Sequence, residues 1–180
     1  MKFIRQLYAI KCYGDFCIII SKVEEQDEMF KIVLCNSIGN PIETKLVNIE
    51  PFFVEMTKNY VILASTDHVY VWNYRSASKS ALGGMADSSK FGREIAFFID
   101  EEPNSKTIYD KEKYDKMEKL SNEPICCLTA NEGTLVVGRT NGIVNKYTLP
   151  NLILEKKLAL NGKPNNIFVN CDGTRLAIID

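Results

Sequence analysis

Hydrophobic residues along this chain fall into short runs separated by polar, glycine-bearing turns, and the runs repeat one layout. The stretch "TLVVGRTNGIVNKYT" at 134–148 shows it. Two apolar runs, at 134–137 and 143–147, flank Asn141-Gly142, a dipeptide that tolerates positive φ. Runs this short, bounded by turn residues, predict a β-hairpin with a tight turn. Four segments share the pattern as second strands: "FCIII" at 16–20, "YVILA" at 60–64, "TLVVG" at 134–138 and "RLAII" at 175–179. Each is preceded by another apolar strand: "AIKC" at 9–12, "FFVEM" at 52–56, "ICCLT" at 125–129 and "IFVNC" at 167–171. Third strands follow as "FKIVLC" at 30–35, "HVYVW" at 68–72 and "GIVNKY" at 142–147. More polar fourth strands, "ETKLVNI" at 43–49 and "LILEKKLAL" at 152–160, suit an outer sheet edge.

The second strands start at positions 16, 60, 134 and 175. A period of about 40–45 residues is that of a WD-type propeller blade, and the one longer gap equals a period plus an insertion. Blades fanned around an axis bury both faces of their inner strands, which explains continuous apolar runs where alternation would otherwise be expected. A WD blade ends its third strand in Trp-Asp; here the pair is Cys35-Asn36, Trp72-Asn73 and Tyr147-Thr148, a diverged version. The fold expected is therefore all-β, a partial WD40-type β-propeller of about four blades' worth of strands, incomplete at both ends. "KFIRQL" at 2–7 reads as the outer strand of an earlier blade, and position 180 follows the second strand of a later one. The whole of 1–180 forms one partial propeller region, expected to need the rest of the propeller or a partner chain, since unclosed ends expose strand edges.

Two segments interrupt the repeat. "SASKSALGGMADSSKFG" at 76–92 is rich in Ser, Gly, Ala and Lys and reads as a flexible loop. "REIAFFID" at 93–100 restores a strand, the fourth of its blade. The charged insertion at 101–122 places Tyr114, Met117 and Leu120 at roughly helical spacing. It reads as a solvated loop or as a partner-binding arm.

The formal net charge of −1 lacks the basic excess of a nucleic-acid binder. The longest apolar run, 16–20, is far too short to insert across a bilayer, and the first ten residues show no secretory h-region. The six cysteines, Cys12, Cys17, Cys35, Cys126, Cys127 and Cys171, lie in apolar strand-like runs without a C-x-x-C pair, so free core thiols are expected. His68, the single histidine, stands beside Asp67 at a hairpin turn; without a second oriented partner it reads as a turn residue rather than a general base or metal ligand. Cys126-Cys127 sits mid-strand with no neighbouring cation in the sequence to activate a nucleophile. "ALGGMADSSK" at 81–90 lacks the order of a phosphate-binding loop. Trp72 occupies the Trp-Asp slot and is expected in the core rather than at an interface. No catalytic, cofactor-binding or metal-binding residue is assigned.

Several stretches exceed what a generic blade dictates: "CYGDFCI" at 12–18, "VLCNSIGNP" at 33–41, "IEPFFVEMTK" at 49–58, "WNYR" at 72–75, "PICCLTA" at 124–130, "VVGR" at 136–139, "YTLPN" at 147–151 and "RLAIID" at 175–180. In these, and in their order, the chain resembles the second WD40 propeller of a WD-repeat subunit of intraflagellar transport complex A. The resemblance implies a non-catalytic scaffold supporting retrograde ciliary transport and cilium assembly. The partners implied are protein subunits of that complex; the location implied is the cytoplasm, the cilium and the ciliary base. The family's first propeller and helical tail have no counterpart in this sequence. The alternative reading is a generic WD40 adaptor in another cytosolic coat or ubiquitin-ligase assembly.

Overall fold

Short β-branched and aromatic runs form strands wherever a turn lets the next run fold back beside them. The structure, a computed structural model, describes residues 7–23, 29–75, 94–101 and 123–180. The first blade contains β1 (Leu7–Tyr13), β2 (Phe16–Lys22), β3 (Phe30–Asn36) and β4 (Pro41–Val47). The second contains β5 (Phe53–Met56), β6 (Tyr60–Ala64), β7 (His68–Asn73) and β8 (Glu94–Phe98). The third contains β9 (Ile125–Ala130), β10 (Thr134–Arg139), β11 (Ile143–Thr148) and β12 (Ile153–Ala159). A hairpin of β13 (Asn166–Val169) and β14 (Leu176–Ile179) opens a fourth. Each four-stranded sheet is an antiparallel meander in chain order.

Burial follows from how many neighbours a blade has. In β6 every residue is buried, and successive side chains go to opposite sides: Val61 and Leu63 join the first blade's Ile18, Ile20, Ile32 and Leu34, while Tyr60, Ile62 and Ala64 join the third blade's Leu135, Val137 and Tyr147. In β10, Leu135 and Val137 face the second blade and Val136 faces Ile167 of β13. By contrast β2 alternates, with Ile18 and Ile20 wholly buried toward the second blade and Cys17 and Ile19 half-buried on the far side. Continuous burial thus marks a blade held between two others, and alternation marks one with a single neighbour among the described residues.

The pattern-based strand assignments agree with these elements to within a few residues at each end. Asn36, Asn73 and Thr148 follow buried Cys35, Trp72 and Tyr147, as a diverged Trp-Asp slot requires. Asn36 then caps its turn, its Oδ1 accepting from the backbone N–H of Ile38 and Asn40. Two details differ. Leu7, expected in an outer strand of an earlier blade, is the first residue of β1; 2–6 lie outside the described residues. The turn after β10 is a three-residue loop in which Gly142 alone has positive φ, at 84°. A Cβ there would meet the carbonyl oxygens of Leu160 at 2.7 Å and Gly162 at 2.9 Å, so the glycine serves close approach as well as backbone shape. The loop at 76–92 lies outside the described residues, and of the 101–122 insertion only Glu101 is described.

Candidate interaction site

First strands of successive blades stand side by side, β1 next to β5, β5 next to β9 and β9 next to β13. Together they wall a concave space of about 400 Å³ that reaches from Tyr8, Ala9 and Lys11 to Asn166 and Phe168. Charge enters it at Lys11 and Glu55, 3.7 Å apart. Burial pushes the Glu55 carboxyl up from the usual range despite the opposing pull of Lys11. Phe52 and Phe168 remain exposed at the same wall.

Polar clamps fix the blades to one another. Glu132, in the β9–β10 turn, accepts the Lys58 N–H at 2.6 Å and the Asn59 amide at 2.9 Å from the second blade. Asn131 beside it donates to the Asn170 carbonyl of the next hairpin at 2.8 Å. Gly173, with φ at 74°, lets that hairpin close on the third blade: a Cβ there would lie 2.5 Å from Thr134 Oγ1. At the outer end, buried Arg139 pairs with Asp100 and donates from Nε to the Glu123 carbonyl at 2.9 Å. One guanidinium therefore gathers the residues on either side of the 102–122 segment. A cavity of about 210 Å³ adjoins it, lined in part by Glu101, Asn145, Tyr147 and Lys157.

The sequence candidates for chemistry are built into packing. His68 Nδ1 meets Asp67 Oδ1 at 2.8 Å, and the Ser65 hydroxyl donates to the same Asp67 oxygen at 2.8 Å. Asp67 thus stands between serine and histidine. A nucleophilic triad needs the imidazole in the middle, to take the serine proton. The ring also lies edge-on to Phe98, with centroids 5.2 Å apart. Burial would push the Asp67 carboxyl up; hydrogen bonds from His68 and Ser65 outweigh it and hold the group below its ordinary value. The loop itself is tied down, the Ile99 N–H donating to the Asp67 carbonyl at 2.8 Å and the Ile125 N–H to the Thr66 carbonyl at 2.6 Å. Trp72 is wholly buried between the first two blades, with Lys45 Nζ 5.7 Å from its ring centre. Lys45 in turn pairs with Glu43 at 3.2 Å and with Glu94.

Cys126 and Cys127 share one side of β9 because the strand bulges there: Gly138 pairs with Cys127 and Arg139 with Ile125, leaving Cys126 extra. Burial is the main cause that pushes Cys127 up to about 12 and raises Cys126. Lys163, a cation that the sequence order did not place near them, pulls the other way without prevailing. All six cysteines are free, but the expectation of six core thiols needs correcting. Cys35 and Cys127 are buried, whereas Cys12, on β1 of the first blade, and Cys171, in the turn after β13, are exposed. Among the described residues no group of three or more His, Cys, Asp or Glu has the arrangement of a metal site.

Stacked four-stranded meanders with first strands along a shared concave space define a segment of β-propeller. Among solved structures, the computationally designed Ika8 protein superposes with a TM-score of 0.52 at 12% identity, over 96% of this chain and 46% of its own. The Dos1 propeller gives the same score and identity over 91% of this chain and 36% of its own. The chain belongs to the family described as WDR35 second beta-propeller, which it matches over residues 1–180. WD repeat-containing protein 35 of Rattus norvegicus is 38% identical over 185 residues, and that of Homo sapiens 39% over 196. All of this chain is covered in both comparisons, but it spans only 16% of either relative's length.

Proposed function

We propose that this chain is a non-catalytic interaction segment of a subunit of the WD repeat-containing protein 35 type. In this reading it binds protein subunits of intraflagellar transport complex A and supports retrograde ciliary transport and cilium assembly, in the cytoplasm and at the ciliary base. The observation that carries the reading is the match of the whole chain to the family described as WDR35 second beta-propeller and to relatives named WD repeat-containing protein 35. The geometry suits it: interblade clamps hold a rigid stack, and Ser65, Asp67 and His68 are committed to a turn. Both ends of the stack offer apolar faces, Ile10 and Leu46 on the first blade and Phe168 and Ile179 on the terminal hairpin. Their occupants in this reading are further strands of the same propeller, since an unpaired blade face and edge favour association.

The test is affinity purification of the tagged chain from ciliated cells, with mass spectrometry of what is retained. Enrichment of complex A subunits supports the reading. Their absence, with coat or ubiquitin-ligase subunits retained instead, overturns it in favour of a generic adaptor.

A further inference from the structure

Three cysteines stand in one row across the first blade: Cys12 on β1 pairs with Cys17 on β2, which pairs with Cys35 on β3. All three lie on the face turned away from the second blade, because their neighbours Ile18, Ile20, Ile32 and Leu34 occupy the other. The hairpin that joins β1 to β2 closes on Tyr13 and Phe16 through Gly14-Asp15, with Gly14 at a φ of 57°. In a two-residue hairpin the closing pair is the hydrogen-bonded one, so the next pair, Cys12 and Cys17, is of the non-hydrogen-bonded kind. Such pairs bring Cα atoms to about 4.5 Å, against about 5.5 Å for the hydrogen-bonded pair that Cys17 makes with Cys35. Disulfides span Cα separations of roughly 4.4–6.8 Å with Cβ atoms about 3.5–4.5 Å apart, so the closer pair is the better placed.

We propose that Cys12 and Cys17 form a cross-strand thiol pair that a hydroperoxide converts to a disulfide, with Cys12 as the thiol first oxidised. In this chain by itself, before further strands of the proposed propeller cover that face, access sets the order: Cys12 is exposed, Cys17 half-buried and Cys35 buried. Cys17 also holds its proton more tightly than an ordinary thiol, first through burial and then through contact with Cys12 and Cys35. The Cys12 thiolate attacks one peroxide oxygen; the O–O bond breaks and hydroxide leaves, taking up a proton to become water. Cys12 is then a sulfenic acid, and hydrogen peroxide has accepted two electrons. The Cys17 sulfur attacks the Cys12 sulfur, the S–O bond breaks, and the oxygen departs as water with the Cys17 proton. Two thiols and one peroxide give one disulfide and two waters.

The experiment treats the full chain with hydrogen peroxide, alkylates the remaining thiols, digests with trypsin and weighs the peptides. Cleavage after Lys11 and Lys22 leaves Cys12 and Cys17 in one peptide, residues 12–22. The expected product is that peptide two hydrogens lighter and unalkylated, with alkylation of both cysteines restored by dithiothreitol. Cys12→Ser and Cys17→Ser should each abolish it, and Cys35→Ser should leave it intact. A Cys17–Cys35 link, or Cys12 carried to sulfinic acid while Cys17 stays alkylatable, would overturn the proposal.

Discussion

Arg139, at the end of β10, lies 2.5 Å from Asp100, which follows β8, and so ties the third blade to the second at the point where the chain leaves for the 102–122 segment. The two partners are unequal. The Arg139 side chain is 8% exposed and that of Asp100 38%. Arg139 also donates to the Glu123 carbonyl, so its removal breaks two charge-assisted contacts.

Arg139→Ala should lower stability by about 2–4 kcal/mol, because it empties a buried site and removes the charge-assisted hydrogen bond to the Glu123 carbonyl. Asp100→Ala should cost about 1 kcal/mol or less, since solvent already screens that carboxylate. Urea midpoints of the two variants test the asymmetry. Equal losses would mean that the ion pair, not the burial of Arg139, carries the junction.

Gly138 sits where the bulged β9 and the terminal hairpin converge. A Cβ there would lie 2.4 Å from Cys127 Sγ, 2.8 Å from Ile167 Cδ1 and 3.1 Å from Pro164 Cγ. Gly138→Ala should destabilise by about 1–3 kcal/mol through overpacking. Adding Cys127→Ala should recover part of that loss, as expected for residues in contact. A double variant no better than the sum of the two single ones would show that the strain lies elsewhere.

Asp67 gives an acid limb to stability. Its folded-state pKa is depressed, so its contribution is fully present above the ordinary aspartate pKa of about 3.9 and is lost as pH falls through the lower folded value. Asp67→Asn should therefore be less stable than the parent at neutral pH, with the gap narrowing below about pH 4. Denaturation across that range checks it; a gap independent of pH would remove Asp67 from the account.

The blades were legible because their strands are short, apolar and punctuated at one period, but of the two runs read as buried on both faces, "LVV" in β10 is so, whereas "FCIII" in β2 is only half-buried on the face away from the second blade. Trp72 and Tyr147 were found in the core by their place at the third-strand ends. The clamps were not legible. Glu132 is one acidic residue in a turn, and its partners Lys58 and Asn59 come from another blade. Arg139 carried a faint signal, a single cation closing an apolar run, but Asp100 and Glu123 lie far from it in sequence. The exposure of Cys12 was missed for a related reason. An apolar run reports that a strand packs, not whether a second blade covers its other face.

The stacking of blades is the claim on which the rest depends, and hydrogen exchange on the dilute chain tests it most directly. Protection should be greatest in β6 and β10, whose residues are buried throughout, lower in β2 with its alternating pattern, and least in β13 and β14. A flat profile, or one in which β13 and β14 outlast β6, would contradict an arrangement of blades held face to face.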